Sequence, residues 1–178
     1  MDQIKIFFTD IDGVWTDGSM YYFENGNESK RFNTYDSAGV LLLNEAKIPL
    51  VIISGEKSKM VENRAKKLGI KNTYLGVRNK LELAEKILIN FNFDLKHAAF
   101  IGDDLNDFPL LQKVGLSACP NNSSDFIKNN VDWVLSKSGG EGAFREFVEK
   151  YLDQSNTLHE TNIKLIKNNY GIDLQNER

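Results

Sequence analysis

Scarcity narrows this sequence before any motif does. A single cysteine, Cys119, leaves no internal disulfide to form, and the cytoplasm is the expected setting of such a chain. Alone, Cys119 reads as a small buried hydrophobe. Two histidines beside that one cysteine are too few to build a zinc centre. No apolar run approaches the ~20 residues that a membrane-spanning helix needs. The opening MDQIKIFFTD has no basic region leading into a long apolar segment and a cleavage site, so no secretory signal is expected. Basic stripes are absent too, and a net charge of −3 runs against a phosphate-backbone binder. Neither nucleic acid nor membrane is an expected partner. No linker rich in proline, glycine or serine divides the 178 residues, and no internal repeat appears, so one domain with a polar tail is expected.

What is present alternates. Apolar runs at 4–8, 49–54, 72–76, 97–102, 115–119 and 132–136 are separated by stretches of helical period at 36–48, 57–69, 79–91, 105–113 and 123–129. Strands alternating with helices imply an α/β fold, a Rossmann-like parallel sheet with covering helices. One segment breaks the pattern. MYYFENGNESKRF, residues 20–32, carries aromatic flanks around Asn25-Gly26, which predicts a β-hairpin on a two-residue type I′ turn. The late TLHETNIKLIKNNYGI reads as an amphipathic helix with Leu158, Ile163 and Ile166 on one face.

In a parallel sheet, ligands bind outside the carboxyl ends of the strands. Those ends carry Asp10 and Asp12 after the first strand, Ser54-Gly55 after the second, and GDDLND, residues 102–107, after AAFI; Lys80 opens the helix that follows YLGVRN. Clustered carboxylates repel one another and persist when a cation holds them ionised. Hard oxygen donors suit Mg²⁺. A lysine, a hydroxyl and a glycine backbone beside it make a phosphate site. A carboxylate can attack phosphorus to give an aspartyl-phosphate, and a second acid two residues on can protonate the leaving group and activate water. Asp10 is then the nucleophile and Asp12 the acid/base, with Ile11 pointing the other way.

DIDGVWTDG, the Ser54 strand end, GVRNK and GDDLND resemble, in order, the four motifs of the haloacid dehalogenase-like phosphatases. With FNTYDSAG and GGEGAFREF, residues 139–147, they resemble the capless branch that hydrolyses 3-deoxy-2-ulosonic acid phosphates. The resemblance covers residues 1–153 and leaves 154–178 as a helical or flexible tail. It implies Mg²⁺ held by the Asp10 carboxylate, the Asp12 carbonyl and the Asp103 carboxylate, with Asp104 and Asp107 on its waters and Asn106 holding the loop. Ser54, Gly55 and Lys80 would clamp the phosphoryl group. Asn33, Thr34, Asp36, Ser37 and Arg64 match substrate-contacting positions, with Arg64 able to pair a sugar-acid carboxylate. A solvated cation on the outside of its helix is the plainer alternative for Arg64.

Two substrates fit the branch. Octulosonate enzymes commonly carry arginine where this chain has Glu56, so the resemblance favours a nonulosonate (KDN or N-acylneuraminate) 9-phosphate, with 3-deoxy-D-manno-octulosonate 8-phosphate the alternative. A homotetramer whose hairpins pair and whose neighbours complete each site is also implied. Outside this class stand a receiver-like phosphoacceptor domain and a silent oligomerisation module; the acid at Asp12 speaks against the first and the undegenerate motifs against the second. Trp15 either walls the site or packs beneath the hairpin, and Trp133 is expected in the core. Asp17 belongs to turn chemistry.

Overall fold

A computed structural model describes residues 3–173. Six parallel strands form one sheet in the order β5 (Asn72–Leu75), β4 (Leu50–Ser54), β1 (Ile6–Thr9), β6 (Ala98–Ile101), β7 (Leu116–Cys119) and β8 (Trp133–Val134). The central strands are buried along their whole length, which is why their sequences are continuous apolar runs rather than alternating ones. Alternate residues serve opposite layers. Phe7, Ile52 and Ala99 face a core closed by α1 (Asp36–Glu45), α2 (Lys59–Lys67) and α6 (Ala143–Gln154). Ile6, Phe8, Ile53 and Phe100 face a second core closed by α3 (Lys80–Phe91), α4 (Phe108–Leu111) and α5 (Asp125–Lys128).

Strand order reverses at β1: the chain moves outward through β4 and β5, then returns to β6 on the other side. The reversal opens the crevice where ligands bind in doubly wound sheets, between the carboxyl ends of β1 and β6. Only a small hairpin, β2 (Tyr21–Tyr22) and β3 (Glu28–Ser29), is inserted between β1 and α1, so no cap domain covers that crevice. The hairpin forms where expected, but its turn differs. Gly26 sits at φ +80° and Asn25 stays at negative φ, with Gly26 N–H donating to Phe23 O at 2.9 Å and Phe23 N–H to Asn27 O at 2.9 Å. This is a three-residue loop closed by a left-handed glycine, whereas type I′ needs positive φ at both central residues.

Two helical readings also change. The span expected at 105–113 is helical only over Phe108–Leu111, because residues 103–107 form the loop beneath the site and Pro109 lies in the helix's first turn. The last helix, α7 (Leu158–Tyr170), turns Leu158, Thr161 and Leu165 inward and lies on α1 and α6 of its own chain. Ile163 is five residues from Leu158, about 140° round the helix, so those two cannot share a face. Trp133 is core, as expected; Trp15 is buried, stacks on Phe144 at 4.7 Å and donates from Nε1 to Thr9 Oγ1 at 2.9 Å. Cys119 is a buried free thiol. Among the described residues no helix is long and apolar enough to cross a membrane.

Candidate active site

The carboxyl ends of β1, β4 and β6 converge on a cavity of about 320 Å³ lined by Asp10, Asp12, Gly13, Ser54, Glu56 and Asp103, among others. A larger cleft, about 920 Å³, lies at the opposite sheet edge near Ile4, Ile48 and Tyr151. Its charged groups, Glu45, Glu160, Lys5, Lys47 and Lys164, are not buried and form no carboxylate cluster like that of Asp10, Asp103 and Asp107, so chemistry rather than volume selects the smaller cavity.

Asp10 ends β1, its N–H donating to Ile101 O at 3.0 Å, which fixes its height against β6. Ile11 turns into the core, and Asp12 comes back to the cavity side. Gly13 follows at φ +83°, because an L-residue's Cβ there would lie 1.9 Å from Asp103 Oδ2. Close approach of the two acidic loops therefore demands glycine. Asp10, Asp103 and Asp107 each place a carboxylate oxygen within 4.8 Å of the others.

Lys80, at the start of α3, reaches beneath this cluster. Its Nζ lies 2.9 Å from Asp10 Oδ1 and 2.5 Å from Asp107 Oδ1, and all three side chains are nearly without solvent exposure. Asp10 Oδ1 is charge-paired with Lys80 and accepts no other hydrogen bond. Asp107 is saturated differently: Oδ2 accepts from the N–H groups of Asp103 at 3.0 Å and Asp104 at 3.3 Å. It organises the GDDLND loop and anchors Lys80, leaving Asp10 and Asp103 as the carboxylates open to a ligand.

Burial, then the neighbouring Asp107, raises the Asp10 carboxyl to about 7 despite Lys80. Burial, then Asp10, Asp107 and Asp104, raises Asp103 to about 8. Acids pressed together in this way fit a hard divalent cation, which would relieve both repulsion and desolvation with an all-oxygen donor set. Beside them Ser54 is buried with its Oγ accepting from Glu56 N–H at 3.3 Å, Gly55 is exposed, and Asn106 faces Gly55 across the cavity. Asp104 lines the rim.

The residues 33–37 and Arg64 do not line this cavity. Arg64 Nη2 donates to Ser37 Oγ at 2.8 Å and Asn33 O at 3.3 Å, and its guanidinium lies over the Phe32 ring; it braces the segment rather than facing outward. Asn33 Nδ2 donates to Gly140 O at 3.0 Å, and Thr34 is exposed. Asp36 is fully buried, and its Oδ1 accepts from Arg145 N–H at 3.2 Å in the first turn of α6. Desolvation raises its carboxyl to about 6, partly offset by the Arg145 and Phe144 N–H groups. Asp17 accepts from Ser19 N–H at 2.9 Å and pairs with Arg31, the turn role expected of it.

One participant escaped the sequence reading. Lys30, returning from the hairpin, places Nζ 2.7 and 2.8 Å from the two oxygens of Asp12 and also hydrogen-bonds to Glu56. Its signal was positional: a hairpin inserted directly after β1 must lead back across the end of that strand.

Carboxylates from β1 and β6, a hydroxyl from β4 and an ammonium from α3, all at the switch point of a doubly wound sheet, define a hydrolase of the α/β class. Residues 76–147 match the model of the haloacid dehalogenase-like hydrolases. The chain is 36% identical over 159 residues to the 3-deoxy-D-manno-octulosonate 8-phosphate phosphatase of Escherichia coli K12, covering 89% of this chain and 85% of that one. Its fold superposes with a TM-score of 0.87, at 34% identity and over 90% of this chain and 92% of the other, on the Moraxella catarrhalis 3-deoxy-D-manno-octulosonate 8-phosphate phosphatase solved with a magnesium ion, a phosphate ion and KDO. A Legionella pneumophila structure, a putative haloacid dehalogenase superfamily hydrolase of subfamily IIIA, gives a TM-score of 0.88 at 33% identity, over 92% of this chain and 90% of that one. The chain belongs to the haloacid dehalogenase-like hydrolases, within the 3-deoxy-D-manno-octulosonate 8-phosphate phosphatase family.

Proposed function

We propose that this protein is a Mg²⁺-dependent phosphatase of a 3-deoxy-2-ulosonic acid phosphate, with 3-deoxy-D-manno-octulosonate 8-phosphate as its substrate. The observation that carries the reading is the pairing of Asp10 with Asp103 across the β1–β6 crevice, above the buried Lys80. Asp10, the Asp12 carbonyl and Asp103 would hold the ion, with Asp104, Asn106 and Asp107 supporting its loop. When bound, the ion neutralises phosphoryl oxygens and keeps both acids ionised.

The residues of the chain divide the remaining work. Ser54, the Gly55 backbone and Lys80 hold the phosphoryl group in line with Asp10. An Asp10 oxygen attacks phosphorus as the bond to the sugar oxygen breaks, and Asp12 gives that oxygen a proton. Water then attacks the aspartyl-phosphate, Asp12 takes its proton, and inorganic phosphate leaves with Asp10 restored.

The relatives support the eight-carbon substrate. Glu56 is what favours a nine-carbon one, since it stands where an arginine is common in octulosonate enzymes. Yet the Glu56 carboxylate is paired with Lys30, so the position does carry a cation, delivered from the hairpin. The exposed Tyr21, Tyr22 and Phe23 give the hairpin an apolar surface suited to a homotetramer in which neighbours shield each site from water. A cytoplasmic setting suits the free thiol of Cys119. Asn33, Thr34, Ser37 and Arg64 sit outside the cavity of one chain, so a contact from them to substrate would run through such an assembly, whereas Asp36 is fully buried against the start of α6.

Phosphate release from the octulosonate phosphate tests the reading. Activity should vanish with EDTA, return with Mg²⁺, and be absent in Asp10→Asn. Full turnover in that variant would refute Asp10 as the nucleophile.

A further inference from the structure

The phosphoryl chemistry gives Lys30 no part, although it is the charge most fully enclosed at the cavity mouth. Its side chain has 0% exposure, against 30% for Asp12 and 38% for Glu56. An ammonium has three donors, and here both Asp12 oxygens and one Glu56 oxygen take them all. Asp12 is thereby engaged on both oxygens: Thr16 Oγ1 also lies 3.4 Å from Oδ1, while Oδ2 has the ammonium as its one partner. An acid/base must have one oxygen within reach of the proton it transfers. While the ammonium bridges both oxygens it competes with the sugar oxygen for Asp12, and its departure opens the acid/base to the leaving group.

The position of Lys30 is set from outside the cavity. The chain next to it is fastened by Arg31 on Asp17 and by Asn33 on Gly140, while Glu56 holds the ammonium at the rim. Released from Asp12, Lys30 would still face the cavity with two donors free, and the strongest new partner for them is another carboxylate. The geometry points to Lys30 as a specificity-determining residue that exchanges Asp12 for the carboxylate of the substrate, so that arrival of the sugar acid is what frees the acid/base. A neutral sugar phosphate reaches the phosphoryl site but offers Lys30 nothing, and Asp12 stays paired. Glu56 has a matching role, keeping the ammonium at the rim during the exchange. This inference rests on the phosphatase reading of the site.

The test compares Lys30→Ala, Lys30→Arg and the parent on 3-deoxy-D-manno-octulosonate 8-phosphate and on glucose 6-phosphate, at saturating Mg²⁺. Lys30→Ala should lower kcat/KM for the sugar acid at least about tenfold, mainly through KM, the loss expected for one charge-assisted hydrogen bond. The same variant should raise kcat for glucose 6-phosphate, because Asp12 is unlocked. Lys30→Arg should keep the preference for the acid. Equal losses on both substrates, or an unchanged ratio between them, would overturn the role assigned to Lys30. Absence of Mg²⁺-dependent hydrolysis of either substrate by the parent would instead refute the phosphatase reading itself.

Discussion

Gly13→Ala isolates how closely the two acidic loops are matched. Alanine would put a Cβ 1.9 Å from Asp103 Oδ2, so to regain the 3.0 Å that real contacts keep, the oxygen must retreat about 1.1 Å. Displacements near 1 Å in a reacting constellation cost about a hundredfold in rate. The backbone cost is separate: holding an L-residue at φ +83° takes about 1–2 kcal/mol, or roughly 2–8 °C in Tm for a domain of this size. Thermal unfolding and a Mg²⁺ titration of phosphate release separate the two effects. The expected result is a modest fall in Tm, a weaker apparent Mg²⁺ affinity and a kcat about a hundredfold lower. A variant that shows the fall in Tm but keeps kcat within threefold would refute the argument that the height of Asp103 is set by this contact.

Lys80→Met should be costly in a different way, since it strands Asp10 and Asp107 as buried acids without their cation. Urea unfolding at pH 8 in EDTA should show a loss of about 3–5 kcal/mol; a loss under 1 kcal/mol would contradict the pairing. In the metal-free parent, Asp10, Asp36 and Asp103 have folded-state values raised to about 7, 6 and 8. Raised acids favour the folded state below their ordinary range near 4, and that advantage is lost as pH climbs through the folded values. Tm in EDTA should therefore fall between pH 4 and 8, and Mg²⁺ should restore most at the upper end; a Tm that rises over this window would contradict the crowding of these acids.

Much of this was legible because it is local. The strands of the sheet are buried on both faces, so their runs announce themselves, and a parallel sheet sends every strand's carboxyl end to one edge. Asp10, Asp12, Ser54 and Asp103 could be gathered on that ground alone, and the structure brings them to one cavity. What stayed hidden depends on contacts distant in sequence. Lys30 meets Asp12 across 18 residues and Glu56 across 26. Asp36 meets the start of α6 across 109, and no local pattern distinguishes such a tertiary cap from a substrate contact. The face of α7 was misread because its inward stripe includes Thr161, a polar residue buried against the chain's own helices. The hairpin turn was misread because Asn-Gly also serves a three-residue loop, in which only the glycine takes positive φ.

The central claim is tested most directly by kcat/KM of the purified chain for 3-deoxy-D-manno-octulosonate 8-phosphate against a nonulosonate 9-phosphate, in Mg²⁺ and side by side. Mg²⁺-dependent hydrolysis is expected, with the eight-carbon substrate preferred by at least about tenfold, a difference of roughly 1.4 kcal/mol in transition-state binding. Preference for the nine-carbon substrate would contradict it and return Glu56 to the role of a nonulosonate marker.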